Sequence, residues 1–351
     1  MALGLLQVGA GAWGESWIRV VQQHPDWELA GLIDIDESVL QRAASTAAVS
    51  PDRCFGGLDE ALGAGVRADA VLIAVPPAVH APVALEALGH GLHCLIEKPL
   101  ADTLPAAWSI VKAAEAGGLE VMVSQNYRFK RAPRTVRRLI AEGVIGPVEQ
   151  VRVDFRKNPP FSGFRLEMDE PLIHDMAVHH LDQLRGILGL EPDVIRARSW
   201  NPSWSAFAGN AACLIELEHG DGGRVVYTGS WCALSRHTSW DGDWEIEGPR
   251  GSIRWSENRV EVRFESLFDT VFLPRALERD GVMEVELDVL EAEERNGSLA
   301  EFAQALREGR PPETNARDNV RSLSLVLGAV ESAASGSAVD LGVLAAEPES
   351  S

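Results

Sequence analysis

The sequence predicts an α/β protein in two parts: an N-terminal doubly wound parallel sheet, then an α/β domain built on a mostly antiparallel sheet. Three observations predict it. Up to about residue 124, short apolar runs alternate with helical stretches, as a parallel sheet covered on both faces requires. From about residue 125, strand-like runs follow one another across glycine-bearing turns, mostly without helices between them. Finally, 351 residues exceed what one ordinary core supports. The division is therefore expected between domains 1–124 and 125–351.

In order, Leu3–Val8 reads as a strand, Ala12–Gln23 as a helix, Leu29–Asp34 as a strand and Ser38–Ala47 as a helix. Ala70–Val75 is a buried strand stopped by Pro76 and Pro77, followed by a helix over Val79–Gly89. His93–Glu97 is a strand, Leu104–Ala116 a helix and Val121–Ser124 a strand. The crossovers are expected to be right-handed. A further helix, Pro133–Glu142, is closed by Gly143 and the Gly146-Pro147 pair. Val148–Phe155 alternates apolar and polar residues, as a half-solvated strand does. A helix from His174 to Leu188 precedes strands at Val194–Arg198, Ala211–Glu218, Arg224–Ser230, Trp244–Glu247, Ser252–Trp255 and Arg259–Phe264. Helices at Leu299–Arg307 and Asp318–Ala334 close the chain, and the polar tail 345–351 is expected to fray.

Composition excludes several classes. A formal charge of −20 argues against nucleic acid and anionic membrane surfaces, which both call for basic patches. Cys54, Cys94, Cys213 and Cys232 have no zinc-ligand spacing and read as small buried hydrophobes in a reducing compartment. No apolar stretch reaches the ~18–20 residues of a membrane span. The opening MALGLLQVGAGAWG lacks a basic n-region and reads as a strand entering a turn, not as a signal peptide. A cytoplasmic protein is expected.

Gly9-Ala10-Gly11-Ala12-Trp13-Gly14 is GxGxxG directly after a strand and at the start of a helix. Gly9 permits the tight turn, Gly11 the approach of a pyrophosphate and Gly14 close helix–strand packing, while the helix N-terminus favours negative charge. Asp34, 20 residues past Gly14 at the end of the second strand, suits a ribose diol. A second acid, Asp36, follows with no arginine immediately beside it, which favours NAD over NADP. Trp13 either covers the cofactor or wedges between helix and sheet. Val75 and the Glu97-Lys98-Pro99 turn stand at strand ends that open on the same crevice. His80 is either a helix cap or a ribose contact.

Three of the nine histidines, His174, His179 and His180, fall within seven residues beside Asp175 and Asp182. On a helix of about 3.6 residues per turn, Asp175, His179 and Asp182 share one face. Histidine suits removal of a hydroxyl proton, Asp175 can hold its tautomer or contact a hydroxyl, and Asp182 offers a further acceptor. No metal is expected, because HExxH and related spacings are absent. His180 points about 100° away from His179, so His174 and His180 stay unassigned. The stretch YTGSWCALSRHTSWDGDW (227–244) reads equally as a sugar-binding face or a subunit interface.

Together the glycine motif, AVPPAVHAPVALEALGHGLHCLIEKPLA (74–101), QNYRF (125–129) and the DxxxHxxD segment resemble the glucose–fructose oxidoreductase / inositol dehydrogenase (Gfo/Idh/MocA) family over nearly the whole chain. The resemblance implies a Rossmann domain followed by an α/β domain whose large open sheet makes homodimer or homotetramer contacts. It implies Lys98 as a proton-transfer and substrate residue, Asp175 and His179 as catalytic, and Asp182, Tyr127 and Arg128 at the substrate. Pro99 matches a proline commonly cis, and Pro77 departs from the polar residue common there. The expected activity is NAD-dependent hydride transfer at a hydroxyl or carbonyl carbon of a sugar, sugar acid or cyclitol. Two alternatives stay open: a glycoside hydrolase that recycles hydride internally on NAD, and a non-catalytic NAD-binding regulator.

Overall fold

The computed structural model describes residues 1–220, 222–264, 276–279 and 282–348. Contacts divide them into two compact units, one of Met1–Asn126, Ala292–Leu323 and Glu347–Ser351, the other of Tyr127–Glu291 and Ser324–Ala346. The first unit opens with β1 (Leu3–Val8), α1 (Ala12–Gln23), β2 (Trp27–Ile33), α2 (Glu37–Ala47), β3 (Cys54–Phe55) and α3 (Leu58–Gly63). It continues with β4 (Ala70–Ile73), α4 (Pro77–Gly89), β5 (His93–Glu97), α5 (Leu104–Gly117) and β6 (Val121–Ser124). The strands form one parallel sheet in the order β3-β2-β1-β4-β5-β6. The chain runs outward from β1 to β3, then returns to β4 on the other side of β1, so a crevice opens beyond the carboxyl ends of β1 and β4. Wholly buried Ala70–Ile73 and Val121–Ser124 explain the uninterrupted apolar runs there. Pro77 occupies the first turn of α4, where a missing N–H costs nothing.

The second unit contains α6 (Arg131–Ala141), β7 (Gln150–Arg156), α7 (Phe164–Glu167), a π-helical turn (Ile173–Ala177) and α8 (Val178–Gly186). Its strands continue with β8 (Pro192–Trp200), β9 (Ala212–His219), β10 (Gly223–Ser230), β11 (Asp243–Gly248) and β12 (Gly251–Ser256). The last are β13 (Arg259–Phe264), β14 (Ala276–Arg279), β15 (Val282–Val285) and β16 (Val339–Asp340). These build a ten-stranded sheet, β14-β15-β13-β12-β11-β7-β10-β9-β8-β16. Among the described residues β7 and β10 are its one parallel pair. Inward residues such as Val151, Val153, Phe155, Ile215 and Val225 pack with Val136 and Leu139 of α6 and Leu181 and Leu184 of α8. The mostly antiparallel sheet expected from the alternating strands is therefore present.

Past residue 291 the chain differs from a simple division at 124/125. Here α9 (Glu294–Glu308) packs with the first unit, where Trp27 Nε1 donates to Leu299 O (2.9 Å) and stacks on Phe302. Val123 N donates to Thr314 O and Thr314 Oγ1 to Val123 O, pinning the next loop to β6. The long α10 (Ala316–Ser335) begins in the first unit and ends in the second, followed by α11 (Leu341–Leu344). Tail residues 345–348, expected to fray, are held: Glu347 pairs with Lys112 and Arg317, and Lys112 Nζ donates to Pro348 O. The rest of the tail lies outside the described residues. Among those described, no helix is long and apolar enough to cross a membrane.

Candidate active site

The glycine turn separates residues the protein needs for its own packing from one it does not. Gly9 has φ +99°, and a Cβ there would stand 2.4 Å from Ala74 O; a Cβ at Gly14 would stand 2.2 Å from Gly9 O. Neither position admits a side chain. Gln7, buried in β1, locks the turn by donating from Nε2 to both Gly9 O and Gly14 O. Gly11 is different: its backbone suits any residue (φ −61°, ψ −177°), and a Cβ would meet no atom within 4 Å. That open cradle at the N-terminus of α1 fits a dinucleotide pyrophosphate. Ala12 is the first residue of α1, and Trp13, half-exposed, lies under the Arg295 guanidinium (5.1 Å).

Asp34 stands just past β2, and its carboxylate accepts from Ala10 N (2.8 Å) and Asp36 N (2.9 Å). It therefore braces the glycine turn from the β2 side. Asp36 caps α2, accepting from Ser38 N, Ser38 Oγ and Val39 N. The Ser38 hydroxyl bond leads the contacts that lower its pKa. At the end of β5, buried Glu97 accepts from Trp17 Nε1 (2.7 Å) and from Lys98 N (3.1 Å). The Lys98–Pro99 peptide is cis. Glu97 thus holds the turn that carries half-buried Lys98, and its own side chain faces the protein. His80 is fully buried, with Nδ1 2.8 Å from Pro99 O and Nε2 2.9 Å from Val75 O. Its ring joins the β4 and β5 loops, so neither the cap nor the ribose contact expected of it describes its side chain. Burial lowers its pKa, opposed by the two carbonyls and Glu97.

In the second unit, residues 174–188 do not form the single α-helix expected. Asp175 lies in the π-helical turn, and α8 begins at Val178 and ends at Gly186, short of Leu188. Such turns recur at functional sites. The His179 ring is stacked on Tyr127, centroids 4.1 Å apart and planes within 13°. Lys130 Nζ sits 3.7 Å from the same Tyr127 centroid and bonds Asp241 (2.8 Å). Asp175 receives Arg165 Nε at 2.6 Å, and that guanidinium rests against Phe161 and Phe164.

Asp182 departs from the accessible acceptor expected of it. It is 1% exposed, and both carboxylate oxygens bond Arg128, through Nε and Nη2 at 2.6 Å each. Arg128 is likewise buried and lies so close to α8 that a Cβ at Gly186 would stand 2.2 Å from its Nε. The pair locks the segment bearing Tyr127 to the helix bearing His179. His180 is structural: Nε2 donates to Trp240 O (3.0 Å), leaving Nδ1 to accept from the Tyr227 hydroxyl (3.1 Å). Burial drives its pKa down to about 4. Burial also lowers that of His174. In the 227–244 stretch Tyr227 and Trp244 face the core from their strands and Trp231 is buried just past β10, so these three rings present no open face, whereas Leu234 and Trp240 are exposed.

Sequence reasoning missed Gln7, Trp17, Lys130 and Arg165. Gln7 and Lys130 carried local signals, the glycine motif that begins two residues after Gln7 and Tyr127 three residues before Lys130, whereas Trp17 meets Glu97 80 residues away.

A family model described as "Oxidoreductase family, NAD-binding Rossmann fold" matches residues 3–125, and the GFO/IDH/MocA C-terminal domain matches 134–254. The chain belongs to the Gfo/Idh/MocA oxidoreductase family. Among similar proteins, the uncharacterized protein y4oX of Sinorhizobium fredii is 31% identical, over 97% of this chain and 96% of its own length. D-apiose dehydrogenase of Paraburkholderia graminis is 28% identical, over 97% and 90% respectively. An oxidoreductase from Agrobacterium radiobacter, solved with NAD+, L-tartaric acid and magnesium, superposes with a TM-score of 0.84 at 24% identity, covering 98% of this chain and 99% of that one. That likeness shows the fold. Membership of the Gfo/Idh/MocA family makes the chain an NAD(P)-dependent oxidoreductase.

Proposed function

We propose that this chain is an NAD-dependent dehydrogenase or reductase acting at a hydroxyl or carbonyl carbon of a sugar, sugar acid or cyclitol. The observation that carries the cofactor reading is the open space at Gly11, in a turn whose other glycines are required by backbone packing alone. Gly9, Gly11, Ala12, Trp13 and Gly14, with Val75 and the Lys98 turn, would hold the dinucleotide, and Asp34 its adenosine ribose. A carboxylate there disfavours a 2′-phosphate, which supports NAD over NADP. When bound, NAD supplies the two-electron acceptor or donor.

The protein's own residues handle the rest. Oxidation of a secondary alcohol requires removal of its hydroxyl proton. His179 is the base: its ring plane is fixed by Tyr127, and the Arg128–Asp182 pair fixes Tyr127 against α8. Lys98 takes part in the proton transfer, as the family resemblance implies. Asp175, oriented by Arg165, accepts a substrate hydroxyl. The sugar class draws support from relatives such as the D-apiose dehydrogenase. Steady-state turnover on a panel of polyols, aldoses and sugar acids with NAD+ and NADP+ tests the reading. Wild-type rates in Lys98→Ala and His179→Ala on an active substrate would overturn the assigned roles.

A further inference from the structure

Arg295, the second residue of α9, holds an unusual position for a cation. It is half-buried, and among the described residues its hydrogen-bond acceptor is a neutral hydroxyl, Ser16 Oγ, at 2.7 Å from Nη1. No carboxylate of those residues lies within ion-pair distance. Half-buried charges ordinarily find a counter-charge. Here the guanidinium rests against two indoles of α1 instead, 5.1 Å from the Trp13 centroid and 5.2 Å from that of Trp17. Burial lowers its pKa, opposed by the more distant charges of Glu97 and Glu294. The preceding residue, Glu294, has φ +53°, a left-handed conformation that non-glycine residues rarely adopt. Strain of this kind persists at ligand clamps, where surrounding structure imposes it.

We propose that Arg295 completes the dinucleotide site by binding the phosphate on the nicotinamide side of the pyrophosphate. The proposal rests on the dinucleotide-binding reading above. The side follows from topology. Asp34, the expected ribose partner, follows β2 on one flank of β1, whereas Trp17 is bonded to Glu97 at the end of β5 on the other. Trp13, Ser16 and Trp17 lie within the first turns of α1, next to the Gly11 cradle. A rigid guanidinium fork suits phosphate oxygens and retains N–H donors beyond the one Ser16 takes. In a chain of net charge −20, a local cation offsets the repulsion of an anionic ligand.

Titration calorimetry with NAD, ADP-ribose and AMP tests this on the full-length chain. For Arg295→Met, Kd for NAD and ADP-ribose should rise about 10- to 100-fold, the loss of a charge-assisted bond, with AMP changed less than about threefold. Arg295→Lys should fall between. Arg307→Met, a change on the same helix as Arg295 that breaks an exposed ion pair to Asp26, should bind as wild type does. In the unmutated protein, phenylglyoxal modification of Arg295, followed by mass spectrometry, should be blocked by NAD and ADP-ribose but not by AMP. An Arg295→Met protein that binds AMP normally and NAD within about twofold of wild type overturns the proposal, as does modification unaffected by saturating NAD. Wild-type protein that binds none of the three ligands overturns the dinucleotide reading itself, and the proposal with it.

Discussion

Replacing the three motif glycines one at a time by alanine should separate folding from binding. At Gly9 the new Cβ meets the Ala74 carbonyl, 2.4 Å from O and 2.7 Å from C, in a backbone with φ +99°. These are main-chain atoms that cannot rotate aside. Left-handed strain alone costs about 1–3 kcal/mol, so with the clash the loss should reach roughly 3 kcal/mol or more. At ~2–4 °C per kcal/mol, Gly9→Ala should melt about 6–12 °C low, and Gly14→Ala, 2.2 Å from Gly9 O, similarly. Gly11→Ala meets no protein atom at a compatible φ of −61°. It should keep full stability or gain about 0.4–1 kcal/mol by restricting the unfolded chain. Its methyl group fills the space assigned to the pyrophosphate, so Kd for NAD should rise at least about tenfold. Thermal melts and titration calorimetry on the same samples read both quantities. Wild-type NAD affinity in Gly11→Ala, or destabilisation matching Gly9→Ala, would refute the argument.

Arg128→Met should lower unfolding free energy by about 3–5 kcal/mol in urea titrations, because it removes the bidentate cation from the buried Asp182 carboxylate; adding Asp182→Leu should recover most of that loss. His180, with its pKa held near 4 in the fold against 6.5 for the free side chain, binds its proton more readily when unfolded. Its contribution is therefore complete above pH 6.5 and lost as pH falls toward 4, about 3 kcal/mol in all. His180→Gln, which keeps a donor and an acceptor, should show a shallower fall in stability over that window. Asp34→Ala should narrow the preference for NAD over NADP by about tenfold or more, measured as the ratio of their Kd values. It should also loosen the glycine turn, since Ala10 N loses its acceptor.

Much of the first sheet was legible because parallel strands buried on both faces leave unbroken apolar runs, as in Ala70–Ile73, and because GxGxxG in strand–turn–helix context has few other uses. Two-residue β3 and β16 left no pattern to read. The return of α9 to the first unit was hidden for a different reason: periodicity shows that a helix has an apolar face, not which core that face joins. In the histidine cluster the sequence separated His179 from His180 by direction alone and left His180 without a role. His179 and His180 are adjacent and chemically identical, and only Tyr127 beside one and Tyr227 beside the other separate a stacked ring from a structural one. Asp182 was misjudged because its partner, Arg128, lies 54 residues away. The π-helical turn at Ile173–Ala177 has no sequence signature of its own.

The central claim is that this chain oxidises or reduces a polyhydroxylated substrate with a nicotinamide cofactor, using Lys98 and His179 on the proton. Nicotinamide absorbance followed in steady state across neutral polyols, aldoses and sugar acids, for wild type, Lys98→Ala and His179→Ala, tests it most directly. NAD-linked turnover of at least one member of the panel is expected, with kcat reduced about 10²-fold or more in both variants while NAD still binds. Undiminished kcat in either variant, or turnover of a glycoside with no net change in nicotinamide absorbance, would contradict it.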